Sequence, residues 1–189
     1  MSTAVSICSN ALRLIGADSI TLLSESTDRA RLCNAFYAPT RDSCLREHPW
    51  NFSIVRDTLS PEVSGPESQY TYQYVLPTDP YCLRVLRVND DDAENWVVEG
   101  RKLLTNEGTC VLKYISQVDD PADFDPVFTE ALEYRLASKL AYPLIKKREV
   151  AIDMLKLYDM IIHRARAQNL IENRDEEDVL TSNPLRIVR

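Results

Sequence analysis

The spacing of apolar residues predicts helices near both ends of the chain and strands between them. Near the N-terminus, apolar residues recur every three or four positions, the repeat of one helix face: Val5, Cys8, Leu12 and Ile15. Gly16 follows, and glycine ends helices readily because it tolerates a left-handed backbone. A second helix is predicted from about residue 27 to 47, with Pro39 inside it.

Between residues 51 and 118 the apolar repeat shortens to two, which is typical of strands. One predicted strand puts alternate residues on a single face: Tyr70, Tyr72, Tyr74 and Leu76. Further strands are predicted at 83–88 and 109–115, and Gly100 is predicted to turn a tight hairpin. This part of the chain therefore predicts five or six short antiparallel strands.

The helical repeat returns after Asp125 and Pro126, residue types that suit the N-cap and the first position of a helix. One helix is predicted from there to about residue 144, and another from 149 to 171. Residues 172–178 are acidic and contain no apolar side chain, whereas the last residues are again aliphatic.

These elements predict an α+β fold that is mainly α. Residues 1–50 and 119–171 are expected to form an antiparallel four-helix bundle. Residues 51–118 are expected to form a small antiparallel β domain inserted into that bundle. Residues 172–189 are expected to form an extended C-terminal arm.

The arm has two interpretations. A frayed terminus is one, because chain ends are often poorly ordered. The other is an arm that docks on a partner, because disordered tails are poor in the aliphatic residues found here. On the second interpretation the partner-binding residues are Leu180, Pro184, Leu185, Arg186, Ile187, Val188 and Arg189.

Composition and charge exclude several classes of protein. The 29 acidic and 22 basic residues give a net charge of −7, which argues against a protein that wraps the phosphate backbone of a nucleic acid. The four glycines lie far apart, so no phosphate-binding loop is present. No apolar stretch is long enough to span a membrane, and no signal peptide is expected. Five cysteines without a CxxC motif predict reduced, mostly buried thiols.

No group of residues predicts a catalytic, cofactor or metal site. Residues 119–125 contain four aspartates but lack the pattern of a calcium loop, and helix capping explains them as well. His48 and Cys33 could act as a base and a nucleophile, but a helix terminus and a core position explain them better. The tyrosines of the predicted strand could stack on bases, although packing is the simpler interpretation.

Several segments, in order, are similar to the tail tubular protein A family of tailed bacteriophages. The most specific is LREHPWNF at 45–52, and the others lie at 7–17, 31–34, 72–77, 82–85, 98–105 and 124–128. Residues 78–81 lengthen the spacing before Cys82 relative to the family. The C-terminal arm matches no part of the family pattern.

This resemblance implies a structural protein of the virion, made in the bacterial cytoplasm and placed at the head-to-tail junction. Twelve copies would form a ring between the portal protein and the tail nozzle, with double-stranded DNA passing through the lumen. The isolated chain is expected to be a monomer. Two alternatives stay open, which are a virion-associated glycoside hydrolase of the cell wall and a binding module of another assembly.

Overall fold

The computed structural model describes residues 2–90 and 95–181, and their side chains as far as Ala165. Four helices and six strands follow one another in these residues. The helices are α1 (Ala4–Leu14), α2 (Asp28–Glu47), α3 (Pro126–Ile145) and α4 (Arg148–Thr181). The strands are β1 (Ile54–Leu59), β2 (Tyr72–Val75), β3 (Cys82–Val88), β4 (Trp96–Glu99), β5 (Lys102–Thr105) and β6 (Cys110–Ser116).

The helices begin and end close to the predicted positions, except at the end of α4. Gly16 has a φ of +75° just after α1, as its predicted role requires. Pro39 lies inside α2. Lys146 separates α3 from α4 with a φ of +58°, and its N–H donates to the carbonyl of Tyr142. A left-handed residue at this point ends α3 and reverses the chain into α4.

The six strands form two three-stranded antiparallel sheets. One sheet has the order β1-β6-β3 and the other the order β2-β5-β4. Gly100 turns the β4–β5 hairpin with a φ of +60°, as predicted. Both sheets contribute to one apolar core: Tyr74 and Leu103 from the second sheet, and Cys82, Leu112 and Tyr114 from the first.

The chain divides into two compact units. Unit 1 comprises residues 1–4 and 38–125, and unit 2 comprises residues 5–37 and 126–189. The division falls inside α2, next to Pro39.

The prediction of a four-helix bundle carrying one small inserted β domain and an extended arm is wrong. The described strands form two sheets, and the C-terminal half of α2 belongs with those sheets in unit 1. Residues 172–181, predicted as extended, continue α4. The reason is general: a helical repeat identifies the apolar face of a helix, but does not say which element covers it. Residues 182–189 lie outside the described residues.

In unit 2, α3 and α4 pack along their apolar faces. The fully buried side chains of α3 include Phe128, Leu132, Leu136 and Leu140. Tyr158 and Ile162 are buried on α4, and the guanidinium of Arg135 lies 4.9 Å from the ring of Tyr158. The hydroxyl of Ser9 on α1 donates to the carbonyl of Ile20 at 2.8 Å, which fixes the loop after α1.

Glu133 is expected to contribute less to the stability of unit 2 at neutral pH than in acid. Its carboxylate is half-buried, and this desolvation raises its pKa, although Asn10 donates to it at 2.7 Å. A raised pKa means that the folded state binds the proton more tightly, so stability falls as pH rises from the ordinary glutamate range through the folded pKa.

Glu133→Gln should therefore increase the free energy of unfolding at pH 7, and the gain should vanish below about pH 4. Urea unfolding followed by circular dichroism across this pH range measures it. Glu149→Gln is the control, because it removes an exposed carboxylate from the first turn of α4 and should not stabilise. A gain for Glu133→Gln that persists in acid would contradict the prediction.

Candidate partner-binding cleft

The segment at 45–52 forms a buried aromatic corner at the end of α2. Trp50 is 4% exposed, and its indole N–H donates to the carbonyl of Cys44 at 3.2 Å. That carbonyl is one of the last four of α2, which have no partner within the helix. The ring of His48 meets that of Trp50 edge-on at 4.7 Å, and Phe52 lies between Trp50 and Phe124. The corner fixes the exit of the chain from α2 into β1.

Arg46, in the last turn of α2, contacts the backbone of β3. Its guanidinium donates to the carbonyl of Leu83. The pairing of β3 with β6 is irregular between Cys82 and Arg84, so Leu83 is the extra residue of a β-bulge. A bulged residue lacks some of the backbone hydrogen bonds of a regular strand pair, and Arg46 donates a replacement hydrogen bond to Leu83 from α2.

Arg101 also binds backbone carbonyls beside this bulge. Its guanidinium donates to the carbonyls of Cys82 at 2.8 Å, Pro77 at 2.5 Å and Leu76 at 3.4 Å. It also lies over the ring of Tyr81 at 4.0 Å, in cation–π geometry. Residues 78–81, the departure from the family spacing, are closed by an isolated bridge between Thr78 and Tyr81.

These elements enclose an open cleft of about 440 Å³ within unit 1. Its walls come from β3 and β4, with Trp96 and Val98 on the β4 side. Three arginines line it, Arg46, Arg84 and Arg101, and none of the described lining residues is acidic. A concentration of one charge sign against apolar walls strengthens the local field, so the cleft favours anionic groups.

Cys82 is among the residues that line this cleft. Cys82 is buried, and burial raises the pKa of its thiol, although Arg101 and Arg46 act in the opposite direction. The thiol is therefore protonated at neutral pH, and a thiol is a poor nucleophile compared with a thiolate. The arrangement can bind an anionic partner through its arginines.

Three other candidate residues from the sequence analysis, His48, Cys33 and Tyr74, are buried. His48 is 2% exposed and packs on Trp50. Cys33 is fully buried beside Cys8, and the contact with Cys33, together with burial, raises the pKa of Cys8. Tyr74 is buried, and its hydroxyl donates to the carbonyl of Glu107 at 2.8 Å.

Two of the four aspartates at 119–125, Asp119 and Asp120, make defined contacts within unit 1. Asp120 caps a short 3-10 turn, where its carboxylate accepts from the N–H of Ala122 at 2.9 Å. Asp119 pairs at 2.7 Å with the buried guanidinium of Arg41, which also pairs with Asp42. These contacts give the aspartates capping and ion-pairing roles.

The predicted arm site is described only at its first residue. The backbone of Leu180 lies in α4. Pro184, Leu185, Arg186, Ile187, Val188 and Arg189 lie outside the described residues. The role of these seven residues in binding stays a prediction.

Sequence reasoning missed the arginine cleft. Its three arginines come from a helix, a strand and a hairpin, separated by 38 and 17 positions. Each stands in one of the family-like segments, but nothing in the sequence shows that these segments meet. Arg101 directly follows the hairpin glycine at position 100. The spacing alone does not identify Leu76 and Cys82 as its partners.

Comparison of the chain with models of protein families and with curated proteins finds no match. Over the part of the chain that the structure describes, no helix has both the length and the apolar character of a membrane span.

Proposed function

We propose that this protein is a head-to-tail adaptor of a tailed bacteriophage. It acts as a structural protein of the virion, joins the portal protein to the tail nozzle and lines the channel for double-stranded DNA. Copies assemble as a ring, with twelve as the number implied by the resemblance. The isolated chain is a monomer that assembles on the portal.

The contacts among the family-like segments carry the proposal. The ring of Phe52, in the segment at 45–52, lies 6.0 Å from that of Phe124, in the segment at 124–128, with the two rings tilted by 42°. Arg101, in the segment at 98–105, binds carbonyls in or beside the segments at 72–77 and 82–85. Residues that resemble the family thus hold one framework together, which supports a shared architecture rather than a shared reaction.

The surroundings of the chemical candidates support a structural role as well. His48 and Cys33 are buried, and Cys82 is held as a thiol. The acidity of the chain also suits a DNA channel. Twelve copies at −7 each carry −84, and acidic side chains in the lumen would keep phosphates from adhering.

Assembly with the portal protein of the same phage tests the proposal. The purified chain should elute as a monomer, and electron microscopy should reveal it as a ring on purified portal. Portal particles that remain bare at high concentrations of the chain would contradict the proposal. Reconstruction of the virion should then place its density between portal and nozzle.

The predicted arm is tested in the same assay. Deletion of 179–189 should abolish portal binding and leave the melting temperature nearly unchanged. The double variant Leu22→Asp, Val63→Asp is the control, because it changes two exposed apolar residues elsewhere and should still bind. Retained binding after the deletion would assign portal contact to another surface.

A further inference from the structure

The cleft between β3 and β4 borders an open strand edge. In the described part of the chain, β4 pairs with β5 on one side and with no strand on the other. Trp96 and Val98 lie two residues apart on β4, so both point to the same side, and both line the cleft. An extended segment laid along β4 would gain main-chain hydrogen bonds and an apolar surface together.

The edge of β3 is not equally open. The carbonyls of Cys82 and Leu83 already accept hydrogen bonds from Arg101 and Arg46. These acceptors are neutral, so both arginines keep their positive charge at the rim of the cleft. Neither forms an ion pair with a carboxylate of the described residues.

We infer that this cleft binds an extended acidic peptide segment of a partner protein, which adds as a strand to the free edge of β4. Carboxylates of the segment meet the positive charges of Arg46 and Arg101, and alternate apolar side chains lie on Trp96 and Val98. Guanidinium–carboxylate pairs are among the stronger polar contacts in proteins. The inference goes beyond the adaptor proposal and does not depend on it.

A nucleic acid suits this cleft less well than an acidic peptide does. Its sugar-phosphate backbone has no N–H and C=O ladder to pair with a strand edge. The net charge of −7 also repels a long polyanion more than a short acidic segment. Both features favour the peptide.

Fluorescence polarisation with the full chain tests the inference. The probe is a short labelled peptide that alternates glutamate with valine, and the comparison peptide has glutamine in place of glutamate. The glutamate peptide should bind saturably, and its affinity should fall as NaCl rises from about 0.05 to 0.5 M, because salt screens the charges. The glutamine peptide should bind at least about tenfold more weakly.

Two valine variants separate the cleft from the rest of the surface. Val98→Glu places a carboxylate on the cleft wall and should weaken glutamate-peptide binding by about tenfold or more. Val111→Glu is the matched control: it makes the same change on β6, outside the lining, and the two valines are 38% and 39% exposed. It should bind like the original chain.

Four outcomes would overturn the inference. They are absence of saturable binding, equal binding of the glutamine peptide, equal weakening by the two valine variants, and preferential binding of a single-stranded oligonucleotide. Self-association that Val98→Glu abolishes, without peptide binding, would instead assign the cleft to a second copy of the chain. Circular dichroism of both variants confirms that they are folded before binding is compared.

Discussion

Trp50→Ala is expected to lower the free energy of unfolding of unit 1 by about 3–5 kcal/mol. The indole is almost fully buried, packs against the rings of His48 and Phe52, and donates its N–H to the carbonyl of Cys44. Alanine leaves a cavity at the end of α2 and removes the donor that this carbonyl uses. The loss therefore combines apolar burial with a hydrogen bond.

The chain offers a clean measurement of this effect. It has two tryptophans, Trp50 and Trp96, and both lie in unit 1. Trp96 therefore still reports the unfolding of unit 1 by fluorescence when Trp50 is replaced, and circular dichroism reports the helices of both units.

Trp50→Phe separates the two contributions. Phenylalanine keeps a buried ring but has no N–H, so the loss should fall to about 1–3 kcal/mol. Trp96→Phe is the control, since Trp96 is only half-buried at the cleft and should cost less than Trp50→Phe. A Trp50→Ala variant as stable as the original chain would mean that the corner does not hold unit 1 together.

The helix and strand positions followed from the sequence because they depend on local patterns. The apolar stripe of α1, the hairpin glycine at 100 and the proline that begins α3 each act within a few residues. Local backbone preference and a regular apolar repeat are sufficient for such elements. Their positions were therefore predictable without knowledge of any long-range contact.

The assembly of those elements did not follow, and α2 is the clearest example. It was predicted as one helix with Pro39 inside it, and its apolar residues lie on both sides of that proline. In the structure, Tyr37 belongs to unit 2, whereas Cys44 and Leu45 belong to unit 1 with the sheets. Tertiary packing decides which element covers each half of α2, and the apolar repeat within the helix carries no information on that choice.

The C-terminal segment was misjudged for a related reason. Residues 172–178 lack apolar side chains, and this absence suggested that the helix ended before them. Glutamate and arginine are nevertheless good helix formers, and a helix continues on propensity where no residue stops it. The backbone accordingly remains in α4 as far as Thr181.

Arg101→Met is expected to destabilise unit 1 by about 3 kcal/mol. The variant removes two close charge-assisted hydrogen bonds, to Cys82 and Pro77, and hydrogen bonds from a charged donor contribute about 1.5–3 kcal/mol each. It also removes the stacking on Tyr81. The carbonyl of Pro77 keeps the N–H of Cys82 as a donor at 3.0 Å, so the two losses do not add fully.

Arg101→Lys tests whether shape or charge is responsible. Lysine keeps the charge, but its ammonium lacks the planar fork that reaches several carbonyls at once, so about half of the loss should remain. Arg56→Met is the control, because Arg56 is an exposed arginine of unit 1 whose ion pair to Asp90 is long, at 3.5 Å. It should change stability by less than about 0.5 kcal/mol in urea unfolding followed by tryptophan fluorescence.

If lysine restored full stability, the positive charge rather than the fork would hold residues 76–82 in place. If Arg101→Met matched Arg56→Met, the guanidinium contacts would not stabilise the cleft at all.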